Sequence, residues 1–203
     1  MNSKERLAQK LKPITRWTVI IGSLLMIGGY FFSVWYIDLS APQYPEGLGL
    51  EIWVNGLKGD VSSINNLNHY IGMATLHADE FWEFAFLPYL LGFMIAFGLF
   101  VGYKGNRRWL WIYMTVLVVI AALACYDFWR WEYQYGHNLD PHAAIRIPGM
   151  SYQPPFLGYK VMLNFVAGSL PDIGGLMIIV PSVLMGTLLL WEHFILDRKK
   201  IKQ

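Results

Sequence analysis

The sequence predicts an all-α integral membrane protein with four transmembrane helices, both termini in the cytoplasm and two longer periplasmic loops. Three observations carry that reading. Of the 203 residues 55% are hydrophobic and only 15% charged, with a mean hydropathy of +0.36, too apolar for an ordinary soluble domain. Four stretches, at 17–37, 84–103, 109–128 and 173–194, are long enough as helix to cross roughly 30 Å of hydrocarbon. The basic residues flank these stretches in a pattern that puts most of them on one side.

The first stretch follows Lys4, Arg6, Lys10, Lys12 and Arg16. Its apolar run exceeds that of a signal peptide, and Asp38-Leu39-Ser40-Ala41-Pro42 is a poor cleavage site, so it is expected to stay as an anchor. The loop at 38–83 carries Asn55-Gly56 between two short alternating runs, which predicts a β-hairpin. Thr75 or Asp79 is expected to cap the second span. Lys104, Arg107 and Arg108 fill a turn too short to hold a domain, and the third span follows it directly. The loop at 129–172 is rich in Gly and Pro, which favours fixed turns. Arg198, Lys199, Lys200 and Lys202 follow the last span. In a four-span topology these three clusters hold 12 of the 16 basic residues on one side, which the positive-inside tendency makes the cytoplasm. Chain 1–203 reads as one four-helix transmembrane domain, placed in the bacterial inner membrane as a multi-pass protein.

Two groups of residues on the outer side are candidates for chemistry. His69, Met73, His77, His137, His142 and Met150 lie in the two outer loops, and a His/Met set on the oxidising side suits copper, since imidazole binds it and thioether selects Cu(I). His69, Met73 and His77 would share one face if their segment were helical, and Asn66 and Gly72 put a continuous helix in question. Glu83, Asp127, Arg130, Glu132 and Asp172 fall near the outer membrane boundary, where a charge is costly unless paired or wet. Such a cluster reads as a structural ion-pair network, a proton path or a quinol-binding edge. His193, at the inner end of the last span, reads as an interfacial residue.

The exclusions are equally informative. A single cysteine, Cys125, excludes an intrachain disulfide, a CxxC pair and a Cys-based metal centre within one chain. No histidine lies mid-span, so no haem is expected. No P-loop, GxSxG, HExxH or dinucleotide fingerprint is present, which leaves catalytic residues unassigned and favours a non-enzymatic role. A formal charge of +2 points to no nucleic-acid partner.

Tyr44-Pro45-Glu46-Gly47-Leu48, Asn66 to Met73, Pro148 to Pro155 and Gly158-Tyr159-Lys160 resemble small polytopic membrane proteins encoded with the maturation genes of clade II nitrous oxide reductases. The resemblance covers most of the chain. It implies an accessory factor for nitrous oxide respiration, within denitrification, that supports copper handling or maturation of a copper-dependent reductase. Its partners would be the lipid bilayer and a periplasmic or membrane protein of the respiratory reductase system. It assigns no catalytic residue. Two other roles suit the same residues: a membrane subunit in quinol-linked electron transfer, using the boundary cluster, and a structural anchor that docks a periplasmic partner.

Overall fold

A computed structural model describes residues 9–162 and 164–196, without the side chains of Ile195 and Leu196. The basic residues Lys4, Arg6, Arg198, Lys199, Lys200 and Lys202 lie outside the described residues. The fold corrects the all-α expectation. It combines helices with a five-stranded sheet, and among the described residues three helices, not four, are long and apolar enough to cross a membrane: Glu83–Lys104, Arg107–His137 and Ile173–Phe194.

The first helix, α1 (Pro13–Leu25), gives way to a 3-10 segment, Met26–Tyr30, and the chain then enters strand β1 (Trp35–Ala41). The apolar run at 17–37 is therefore shared between helix and strand. Continuous apolarity does not separate the two, and the aromatic and β-branched residues Phe31, Phe32, Val34, Trp35 and Ile37 favour the strand. Strand β2 (Tyr44–Trp53) pairs with β1, and β3 (Gly56–Gly59) closes the hairpin expected near Asn55, with Trp53 opposite Gly56. Helix α2 (Val61–Ile71) follows, then the spans α3 (Glu83–Lys104) and α4 (Arg107–His137). Neither Thr75 nor Asp79 caps α3, whose N-cap is Trp82. Strands β4 (Gly158–Met162) and β5 (Phe165–Pro171) complete an antiparallel sheet of order β3-β2-β1-β5-β4, and α5 (Ile173–Leu190) ends in a π-helical turn, Trp191–Leu196.

Two apolar cores result. One lies inside the bundle and includes Val19, Met26, Met94, Leu110, Tyr113 and Met185. The other lies beneath the sheet and includes Ile37, Leu48, Leu50, Ile64, Leu76 and Tyr135. Tyr135 belongs to the second because α4, with 31 residues, is roughly 46 Å long and outruns the bilayer by several turns. Its last turns bring Trp131 and Tyr135 under the sheet.

At the opposite end the chain is pinned by a buried carboxylate. Glu192 pairs with Arg107 at 3.1 Å, accepts the Lys12 backbone N–H at 3.0 Å, and accepts the Thr15 hydroxyl. Leu11 N–H donates to Gly105 O and Arg107 N–H to Gln9 O, so residues 9–11 sit against the α3–α4 turn.

Candidate functional site

The boundary residues divide among three jobs. Glu83, in the first turn of α3, and Asp127, on the second half of α4, line one cleft and lie close enough for each charge to act on the other. Arg130, one turn beyond Asp127, is close enough for its charge to act on Glu83. The cleft encloses about 440 Å³, and its walls are otherwise apolar, built from Phe81, Trp82, Phe86, Leu90, Phe128 and Trp131 among others. Trp82 stacks on Phe86 with centroids 5.0 Å apart. A carboxyl pair is thus held inside an aromatic frame between two helices that are long and apolar enough to cross a membrane.

Asp172 does a structural job instead. It is the N-cap of α5, with Oδ1 accepting the Ile173 N–H at 2.8 Å and Oδ2 accepting the Ser33 hydroxyl. Asp172 N–H and Gly174 N–H donate to Val34 O and Ser33 O, which fastens α5 to the chain entering the sheet.

Glu132 is fully buried, and neither carboxyl oxygen has a hydrogen-bond partner among the described residues. Phe128, Glu132 and Gly136 share one face of α4 at four-residue spacing. The Phe128 ring lies 5.7 Å from Phe156, and Gly136 abuts Gln153, which places Glu132 beneath 153–156. Pro154 and Pro155 in that segment have no N–H to offer it.

The His/Met residues separate. Helix α2 ends at Ile71, and Gly72 turns the chain with φ +80°, a conformation that favours glycine, so Met73 and His77 leave the helical face of His69. Met73 lines a second cavity, beneath the sheet, while His77 is exposed. His137 stacks on Tyr133 at 4.1 Å. Met150 is half-buried in a turn that its N–H closes onto Ile147 O.

The two outer loops do meet. Asp140 N–H donates to Gly72 O and Ile145 N–H to Tyr70 O, which brings His69, Asp140 and His142 to one exposed edge. His142 N–H donates to Asp140 Oδ1 at 2.8 Å, and its Nδ1 lies 3.3 Å from the same oxygen. The His142 N–H, above all, holds the Asp140 carboxyl below the usual carboxylate value, with His142 and His69 adding to the effect. Among the described residues no three His, Cys, Asp or Glu side chains form a group able to hold a metal ion.

Sequence reading missed Glu192, an acid within an apolar span that requires a partner and finds it in Arg107. It also missed Asn68, Tyr135 and Tyr152, whose meeting depends on tertiary packing. His193 packs edge-on to Trp111 at 5.6 Å. No protein-family model, curated protein or solved structure matches the chain, so no family or activity transfers to it from a relative.

Proposed function

We propose that the protein is a multi-pass bacterial inner-membrane protein that binds a quinol-class amphiphile at its periplasmic boundary. The observation that carries this reading is the Glu83–Asp127 carboxyl pair in an aromatic cleft between two helices long enough to cross the bilayer. A hydroxyl head group can donate to the carboxylate oxygens there, and an apolar tail can remain in lipid. Arg130 offsets part of the negative charge, which favours a neutral head over a cation. Periplasmic orientation of the cleft rests on Lys10, Lys12, Arg16, Lys104, Arg107 and Arg108, which gather at the opposite end of the bundle, and a respiratory reductase component is the partner implied by the resemblance described above.

The test is binding of a decyl-tailed hydroquinone to detergent-purified protein. A hydrogen bond to a charged group contributes about 1.5–3 kcal/mol, so Asp127→Ala and Glu83→Ala, which remove the acceptor, should each weaken binding by about 10- to 100-fold. Wild-type affinity in both variants would sink the reading.

A second reading, copper handling, is favoured by one observation: the loop contact that brings His69, Asp140 and His142 to a common edge. The three side chains do not form a ready-made ligand group, so on this reading the ion is cargo that draws the His69 and His142 imidazoles together at an exposed surface. Titration of purified protein with Cu(I) against a chromophoric competitor should show binding that falls at least about tenfold in His69→Ala/His142→Ala. Unchanged binding in that double variant would remove copper from consideration at this edge.

A further inference from the structure

The cavity beneath the sheet uses none of the carboxylates of the boundary cleft. It encloses about 370 Å³, within the usual size range of small-molecule sites. Its deep wall is apolar, with Ile37, Leu50, Ile64 and Leu76 buried, and its rim includes the exposed residues Gln43 and Tyr70. No charged side chain lines it among the described residues.

Two tyrosines line this cavity, each with a hydroxyl hydrogen that no described acceptor takes. Tyr152 is only 2% exposed, and its hydroxyl has no hydrogen-bond partner among the described residues. The Tyr135 hydroxyl accepts a hydrogen bond from Asn68 Nδ2, whose other hydrogen goes to Ala74 O. That arrangement satisfies Tyr135 as an acceptor and leaves its own hydrogen undonated. A buried donor without an acceptor is costly to leave unmade. An apolar, uncharged wall excludes an ion, because stripping a charge of water there would go uncompensated. The complement of two spare O–H donors in such a wall is a neutral molecule with an accepting oxygen.

We propose that this cavity is a binding site for a compact, uncharged molecule that carries a carbonyl-type oxygen, held by the Tyr152 hydroxyl and supported by Tyr135. The phenols that would hold the ligand are distinct from the carboxylates of the boundary cleft, although the two linings share Trp131, so either can fail alone.

The probe is benzophenone, a neutral ketone that also photocrosslinks, with diphenylmethane as its carbonyl-free counterpart. Full-length protein in detergent is titrated with each, then irradiated with benzophenone and mapped by mass spectrometry. Wild type should bind benzophenone about five- to tenfold more tightly than diphenylmethane, the worth of a single net hydrogen bond. Tyr152→Phe should abolish that preference while leaving diphenylmethane affinity and folding unchanged, because the hydroxyl it removes has no partner to lose. Adducts should fall on Met73 and Met162, both in the cavity wall. An equal preference in wild type and Tyr152→Phe overturns the proposal and leaves ordered water as the sole occupant. Adducts confined to Phe86, Leu90 and Leu123 also overturn it, while leaving the cleft reading intact.

Discussion

Glu192→Ala should destabilise the protein by about 3–5 kcal/mol, the loss typical when one member of a buried ion pair is removed. The carboxylate is fully buried and the Arg107 side chain is 4% exposed, so solvent screens their attraction very little. The substitution takes that counter-charge from the guanidinium and also strands the Lys12 N–H and the Thr15 hydroxyl that Glu192 accepts. Those three donors belong to the start of α1 and the start of α4, while Glu192 itself lies just past the end of α5, so one side chain joins three elements. Glu192→Gln keeps an oxygen for Lys12 and Thr15 and should lose less. Thermal unfolding in detergent, read by circular dichroism, measures both; a loss under about 1 kcal/mol for the alanine variant would show that the pair does not hold this end together.

Gly136→Ala should cost about 1–3 kcal/mol, the range for forcing extra volume into a packed interior. A Cβ at position 136 would lie 2.3 Å from both the Cα and the N of Gln153, and backbone atoms cannot swing aside as a side-chain tip can. The carbonyl of Gly136 also accepts the Tyr152 N–H at 2.9 Å, so pushing the segment away breaks a hydrogen bond as well. Because Tyr152 rides on that segment, the variant should open 150–156 to protease while the bundle stays protected. Unchanged proteolysis in this region would contradict the close approach.

These two residues show where sequence reading stops. Three spans were legible because length and apolarity suffice to identify a bilayer-crossing helix. The first is shared between helix and strand because apolarity runs through 17–37 without a polar break, and only the aromatic and β-branched residues at 31–37 hint at the entry into β1. The β2–β3 hairpin announced itself through Asn55-Gly56, whereas β1 and β5 pair with Leu39 opposite Ala167 across more than a hundred residues, a separation that no local pattern encodes.

The candidate site divides in the same way. Glu83 and Asp127 were legible from depth alone, since both borders of a span can be counted from its apolar run. His69, Met73 and His77 had helical spacing, yet Gly72 broke the helix that would have aligned them. Asp172 was flagged for its charge and proved to cap α5, a role its place before Ile173 already allowed. Tyr135 and Tyr152 carry no motif, and only packing makes them neighbours of one cavity.

Trp131 stands in the wall of both the boundary cleft and the cavity beneath the sheet. Its ring is stacked on Phe128 and Tyr135 and meets Phe81 edge-on, so an indole held in an aromatic column is the partition between the two spaces. A molecule that displaces this ring from the lipid side changes the room left on the other, and thermodynamic reciprocity requires the second occupant to alter the affinity for the first by the same factor. The two spaces therefore share one wall, the Trp131 indole, and a substitution there reaches both.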